Sequence, residues 1–432
     1  TLVEKDRLGG VCLNVGCIPT KTLLRSCEIF SLFQKSEEFA IKSANVKIDI
    51  QALMERKKRI VQRLVGGVEY LLKKNKVNVI KGEAEFTGPQ IIKVSGEKEV
   101  LLKAEKIIIA TGSLPASIPL EGVENEAILT STDALNIEKV PENLLIIGAG
   151  AIGVEFASIY STLGSKVTLV EMLPRILPGE DAEISEKLKQ IMQKKGIEIL
   201  TESIFLSAKK EGEKYRAFIK TPSGEKEITF NKVLLSVGRK PNSHNLGLDK
   251  AQVETDEKGW IKVNRRMQTT NPSIFACGDI TGGYLLAHVA YAEGEVAAEN
   301  AMGEKSEIDY RVVPRFVCSM PEIAAVGLTE EQVKEKKGKF KVGRCPFIAN
   351  GKALIYGERE GMVKIICDAE TEEILGVHIL GPQATDLILE GTIAMSIEGT
   401  VEDIISTIHP HPALGETIRE AALSAKGRAI HL

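Results

Sequence analysis

Four consecutive apolar residues, Leu144-Leu145-Ile146-Ile147, run into a loop of small residues, Gly148-Ala149-Gly150-Ala151-Ile152-Gly153, and then into a helically spaced stretch that reaches about Leu163. A short apolar run bounded by glycine reads as a buried strand. Gly164 stands where a helix stops, and Lys166 to Glu171 is again strand-like, so the segment predicts a βαβ unit of a parallel sheet. Upstream, Ile48 to Lys74 has helical spacing interrupted at Gly66-Gly67, and Val77 to Val100 alternates and turns like a small β-meander. Lys106 to Ala110 is an apolar strand leading into Thr111-Gly112-Ser113, and Pro115 and Pro119 mark a linker after it. The second domain closes with a strand over Val233 to Val237 and the loop Gly238-Arg239-Lys240-Pro241. Ser273 to Cys277 is strand-like and ends in Gly278-Asp279, with a helix expected from about Ala287 to Met302. From Arg311 onward Val, Ile and Gly recur with strand spacing, followed by helical segments from about Ala384 and Pro412, with Pro412 suited to a first helical position. That tail predicts a separate α+β domain.

The tetrapeptide Thr1-Leu2-Val3-Glu4 recurs as Thr168-Leu169-Val170-Glu171, at the end of the βαβ unit. Gly148 precedes Glu171 by 23 positions, so a matching glycine loop for the first copy is expected roughly 20 residues upstream of Thr1. An N-terminal piece of about 30 to 40 residues is therefore expected to precede this sequence, which has no starting Met.

Composition narrows the function classes. A net charge of −3 gives no basic field for nucleic acid or an anionic membrane. No apolar run approaches the length of a membrane span. Seven cysteines scattered through 432 residues do not form a secreted disulfide framework and point to a reducing compartment, taken as cytoplasmic, with an organelle matrix as the alternative.

Gly148-x-Gly150-x-x-Gly153 follows a strand, opens a helix and is matched by an acidic residue at the next strand end. The glycines let backbone approach a pyrophosphate at the helix N-terminus. Glu171 is the residue expected to accept hydrogen bonds from ribose hydroxyls. It opposes a 2′-phosphate, which favours NAD over NADP, although Arg175 lies close by.

Cys12 and Cys17 are five positions apart in Gly9-Gly10-Val11-Cys12-Leu13-Asn14-Val15-Gly16-Cys17-Ile18-Pro19-Thr20-Lys21. On one ideal helix that spacing is a rise of about 7.5 Å, beyond the roughly 6.8 Å Cα span of a disulfide. A bond between them requires a loop or a distorted first turn, which Gly16 permits. Spacing alone equally allows two unbonded core thiols or half of a metal site, for which no second Cys or His cluster is evident.

The ordered set Gly-Gly-x-Cys-Leu-Asn-Val-Gly-Cys-Ile-Pro-x-Lys, Thr111-Gly112-Ser113, the Gly148 loop and Gly278-Asp279 resembles the pyridine nucleotide-disulfide oxidoreductases over the whole chain. It is most similar to the branch that oxidises dihydrolipoyl groups. The resemblance implies two Rossmann-like dinucleotide-binding domains, for FAD and NAD, and a C-terminal α+β dimerisation domain. Residues 1–114 would be the FAD domain and 115–241 the NAD domain, with 242–310 returning to the FAD domain and 311–432 forming the interface. It implies that Glu4 holds the FAD adenosine ribose, that Gly10 lies at the FAD pyrophosphate and that Gly82 lies near the adenine. Thr111-Gly112-Ser113 matches the family's Ala-Thr-Gly flavin-domain motif. Asp279, with Leu285-Leu286-Ala287-His288, matches the second FAD motif, in which the Asp binds the ribityl chain. Lys21 is implied beside the flavin ring and paired with Glu155, and Gly238 at the NAD. The family's own FAD glycine loop is not among these residues.

In His409-Pro410-His411-Pro412-Ala413-Leu414-Gly415-Glu416 the prolines keep His411 out of a helix and place Glu416 in or near the next first turn. A His oriented by a carboxylate is the usual base arrangement near neutral pH. The run resembles the family's His-Pro-x-Leu-x-Glu motif, which identifies His411 as the base, delivered from the partner subunit of a homodimer, and leaves His409 structural or exposed. The resemblance implies a dihydrolipoyl group on the carrier protein of a 2-oxoacid dehydrogenase or glycine cleavage complex as substrate. Its thiolate attacks Cys12, and Cys17 faces the flavin. Members acting on glutathione disulfide usually carry basic residues where Glu171 stands, and those acting on mercuric ion carry a C-terminal cysteine pair that Leu423 to Leu432 lacks. A non-enzymatic nucleotide-binding subunit is the reading from another class, and it needs neither the cysteines nor the base.

Overall fold

A computed structural model of the chain describes residues 1–336 and 338–432. It forms two compact units. One comprises Thr1–Thr22, Met54–Ala116 and Gly238–Tyr310, the other Leu23–Leu53, Ser117–Val237 and Arg311–Leu432.

In the first unit, strand Leu2–Glu4 pairs in parallel with Val79–Lys81, in the register Val3 to Ile80. Glu83–Gly88, Ile91–Ser95 and Val100–Lys103 form the antiparallel meander that the alternation predicts. Ile107–Ile109 pairs in parallel with Ile274–Ala276, in the register Ile108 to Phe275, across a long stretch of chain. Their inward residues Ile107, Ile109, Ile274 and Ala276 share one core with Phe86, Ile261 and Ile280. The expected linker after Thr111-Gly112-Ser113 starts as a short strand, Ser113–Pro115, paired antiparallel with Arg239–Pro241.

The second unit holds a five-stranded parallel sheet. Its order is Glu198–Leu200, Lys166–Val170, Asn143–Ile147, Lys232–Leu235, Ile128–Leu129. Leu144, Leu145, Ile146 and Leu169 are buried because both faces of the sheet are covered, and Leu145, Ile147 and Val170 pack against Ala208, Tyr215, Ala217 and Phe230. The helix Ala151–Thr162 crosses between Asn143–Ile147 and Lys166–Val170, and Gly164 takes a φ of 100° just beyond its end. The unit also contains a three-stranded antiparallel sheet, Ile204–Glu211, Lys214–Thr221 and Gly224–Phe230. A five-stranded antiparallel sheet runs Arg315–Val317, Glu322–Gly327, Ile374–Gly381, Met362–Asp368, Phe340–Pro346. Helices Ala384–Ser396, Val401–Ser406 and Glu416–Ala425 pack with it around Val363, Ile365, Val377 and Ile418.

Two expectations need correction. The helix Ile50–Lys74 runs unbroken through Gly66-Gly67. Glycine there costs about 1 kcal/mol per residue in propensity but removes no backbone hydrogen bond. Pro412 does not open a helix: its peptide bond with His411 is cis, and the last helix begins at Glu416, which still places that carboxylate in the first turn.

Candidate active site

The cysteine segment folds as two helices, Gly10–Val15 and Cys17–Gln34, with Gly16 between them at φ −136° and ψ −113°. The break brings the Cα atoms of Cys12 and Cys17 to 4.7 Å, and the two sulfurs are bonded. A Cβ on residue 16 would meet the Val11 carbonyl oxygen at 3.0 Å and the Cys12 Cα at 3.1 Å, so glycine is what lets the chain turn this tightly. Cys17 is the first residue of the longer helix, where unpaired N–H groups and the helix dipole favour a thiolate. Both cysteines are half-buried, and Lys21 stands one turn beyond Cys17 on the same helix.

The first unit has open glycine backbone and buried polar atoms without partners. Gly10 and Gly112 have positive φ, 65° and 70°, and nothing within 4 Å of the position a Cβ would take. Asn14 donates to the carbonyls of Leu8 and Gly10, at 2.9 and 3.0 Å, but its Oδ1 is buried without a partner, as is the Oγ1 of Thr111. Buried polar atoms without partners are rare and ask for a ligand or water. Open glycine backbone and stranded oxygens suit a flavin nucleotide. Glu4 accepts from the Asp6 N–H at 2.7 Å, and its own carbonyl accepts from Gly82, which packs on the Ser95 carbonyl.

Asp279 is already engaged. Its Oδ2 accepts from the Ser113 hydroxyl and lies 3.4 Å from Arg239 Nε, while Arg239 also donates to Ser113 Oγ at 2.6 Å and to its carbonyl at 2.8 Å. Burial pulls the Arg239 guanidinium down, and Asp279 opposes that pull. Arg239 is thus a positioning partner that sequence reading passed over, although it sits inside the quoted Gly-Arg-x-Pro loop. The neighbouring Gly278 N–H donates to buried Glu293 at 2.7 Å, and Tyr310 donates to the same carboxylate at 2.6 Å. Leu285 is exposed, and Leu286 caps the helix Ala287–Ala301, whose first turn includes His288, without a side-chain hydrogen bond. Gly238 has φ 114° and open space where a Cβ would stand.

In the second unit the three loop glycines divide their tasks. A Cβ on Gly148 would meet the Ser236 carbonyl oxygen at 2.5 Å, and one on Gly153 would run into the Gly148 carbonyl and reach Ser236 Oγ at 2.8 Å. Those two permit close helix–strand packing. Gly150 faces open space at the uncapped start of Ala151–Thr162, where an anion is stabilised by the helix N-terminus. Gly153→Ala is therefore expected to cost about 1–3 kcal/mol of stability, measured by urea unfolding, and to weaken NAD⁺ binding in calorimetry, since backbone must move to admit the methyl.

Glu171 is buried and points at that loop. Its Oε2 accepts from the Ala149 N–H at 2.7 Å and its Oε1 from the Leu173 N–H at 2.9 Å, which leaves further lone pairs for hydroxyl donors. Glu155 is buried in the helix after the loop and accepts from the Cys318 N–H at 2.9 Å.

His411 Nδ1 meets Glu416 Oε1 at 2.9 Å, and the Ala413 N–H donates to the other oxygen at 2.9 Å. Burial works against the charged form of Glu416, but the Ala413 N–H and His411 together hold its carboxyl below the usual range. The His411 side chain is 80% exposed, leaving Nε2 accessible. His409 is only 6% exposed, bonded to Glu390 at 2.8 Å and to the Thr407 carbonyl at 2.9 Å, and the Glu390 bond raises its pKa. The structure thus separates an exposed base candidate from a structural neighbour. Among the described residues no group of three or more His, Cys, Asp or Glu is placed to hold a metal, and no helix is long and apolar enough to cross a membrane.

Residues 1–294 match the family described as pyridine nucleotide-disulphide oxidoreductase, and residues 313–422 match the dimerisation domain of that family. The chain is 44% identical over 434 residues to the dihydrolipoyl dehydrogenase of Thermus scotoductus, with 100% of this chain and 93% of that protein aligned. It is 40% identical over 456 residues to a dihydrolipoyl dehydrogenase of Bacillus subtilis, at the same two coverages. Among solved structures, the HOCl-induced flavoprotein disulfide reductase RclA from Escherichia coli superposes with a TM-score of 0.87 at 27% identity, over 98% of this chain and 93% of RclA. With a bonded cysteine pair at a helix start, a dinucleotide loop and family matches over most of its length, the chain belongs to the pyridine nucleotide-disulphide oxidoreductases.

Proposed function

We propose that the chain oxidises protein-bound dihydrolipoyl groups to the lipoyl disulfide with NAD⁺, as a homodimer carrying FAD. The observation that carries this reading is the Cys12–Cys17 bond, half-exposed and set across the Gly16 break with Cys17 heading a helix. The relatives' shared name, dihydrolipoyl dehydrogenase, supports the choice of dithiol. The units change at residues 22/23, 53/54, 116/117, 237/238 and 310/311; the last three changes lie near the bounds of an FAD domain over 1–114 joined by 242–310, an NAD domain over 115–241 and an interface over 311–432, while 23–53 groups with the second unit.

In this reading Glu4, Gly10, Lys21, Gly82, Thr111, Gly112, Ser113, Asp279 and the turn Leu285 to His288 would hold FAD. Gly148, Gly150, Gly153, Glu155, Glu171 and Gly238 would hold NAD. His411, fixed through Nδ1 by Glu416, takes a proton from one substrate thiol. The resulting thiolate attacks Cys12, the Cys12–Cys17 bond breaks, and Cys17 leaves as a thiolate stabilised by its helix N-terminus. The second substrate thiol loses its proton and displaces Cys12, closing the lipoyl ring. Two electrons and two protons have then left the substrate. Bound FAD supplies the relay of those electrons from Cys17 to the nicotinamide.

Dimerisation is supported by an apolar stripe on the helix Ala384–Ser396 and its end, Leu389, Ile393 and Ile397, all more than half exposed, with Ile408 95% exposed nearby in sequence. Four buried cysteines outside any disulfide, Cys27, Cys277, Cys345 and Cys367, support a reducing compartment such as the cytoplasm or an organelle matrix. The test is turnover of dihydrolipoamide with NAD⁺ by the FAD-loaded dimer, read as NADH absorbance. Turnover is expected with this pair, and none with glutathione disulfide and NADPH; the reverse preference overturns the proposal.

A further inference from the structure

We propose that Glu331 is a specificity-determining residue for the nicotinamide cofactor: it sequesters Arg175, so that a 2′-phosphate at the ribose end finds no free guanidinium. The inference rests on the reading of Gly148 to Glu171 as the dinucleotide site.

Arg175 is the first cation after Glu171 along the chain, and its turn is tied to the glycine loop at both ends. Glu171 Oε2 accepts from the Ala149 N–H at 2.7 Å, and the Leu177 N–H donates to the Ala149 carbonyl at 2.8 Å. A basic residue held in such a turn is a natural partner for a 2′-phosphate, which guanidinium binds in a two-pronged fashion. Here that capacity is taken. Arg175 NH1 donates to Glu331 Oε1 at 2.8 Å and NH2 to Oε2 at 2.6 Å. The pairing holds the Glu331 carboxyl below its ordinary range, so both partners are charged at neutral pH.

Glu331 itself is anchored. The Glu330 N–H donates to Asp181 at 3.1 Å, and the ammonium of Lys364, 2% exposed, lies 2.8 Å from both Asp181 and Glu330. Asp181 also accepts from the Glu183 N–H at the head of the next helix, closing the segment that Arg175 belongs to. The acceptor and the arginine's own loop are thus fixed to one buried ion pair. Glu171 repels a 2′-phosphate directly, and Glu331 removes the cation that would compensate.

The test compares NAD⁺ and NADP⁺ affinities by calorimetry on the FAD-loaded dimer, for the wild type, Glu331→Ala, Glu331→Gln and the double variant Arg175→Ala/Glu331→Ala. The preference for NAD⁺ over NADP⁺ is expected to shrink about three- to tenfold in both Glu331 variants, the scale of a freed surface arginine. It should return to the wild-type value in the double variant and fade at high salt. A wild type that binds NAD⁺ while the Glu331 variants keep its preference, or a gain that survives loss of Arg175, overturns the latch alone. A wild type that binds neither nucleotide overturns the site assignment and the latch with it.

Discussion

Cys17→Ser is expected to lower dihydrolipoamide oxidation by about 10³-fold or more, at least about 4 kcal/mol of barrier. Serine keeps the helix start but cannot form the sulfur–sulfur bond, so substrate thiolate has no disulfide to attack and Cys12 is left as a lone thiol. Sulfur exchange proceeds only through a sulfur leaving group. The nucleotide loop lies in the other compact unit and does not involve Cys17, so NADH-driven reduction of a dye acceptor is expected to persist in the same preparation. Measuring both rates on one sample separates a lost redox centre from a misfolded protein. Dithiol turnover within a few-fold of wild type would remove the Cys12–Cys17 pair from the reaction.

Parts of this architecture are legible in the chain because the signal is local. The run from Leu144 to Glu171 contains a complete strand, glycine loop, helix and strand, and each boundary is set by residues within a few positions of it. The need for a break between Cys12 and Cys17 follows from helix rise, and Gly16 supplies it. Other features depend on partners far away. Asp279 reads as a ligand residue, yet its carboxylate meets Ser113, which is 166 positions distant, and Arg239, whose bond to Ser113 spans 126. No spacing rule reports such a contact. The antiparallel sheet over Ile204 to Phe230 passed unread although turns at Gly212 and Gly224 mark it, because lysines and glutamates on its open face blur the alternation. At Pro412 a general preference for first helical positions misled, since the chain turns once more before the helix starts at Glu416.

His411→Gln is expected to slow dithiol oxidation about 10²- to 10⁴-fold, the usual worth of a positioned base. Glutamine can still bond to Glu416 and fill the same space, so packing and flavin content should hold. What it cannot do is accept a proton from the substrate thiol. The geometry makes His411, not His409, the informative position. His409 has both ring nitrogens committed, to Glu390 and to the Thr407 carbonyl, whereas His411 uses only Nδ1 and is 80% exposed. Glu416, held below the usual carboxylate range, remains ionised across neutral pH and keeps that ring oriented. The decisive measurement is the half-reaction: rapid mixing of the oxidised FAD-loaded dimer with dihydrolipoamide should show slow reduction, while reduction by NADH stays near the wild-type rate. Equal slowing of both directions would point to a structural role, and an unchanged dithiol rate would take His411 out of the proton path.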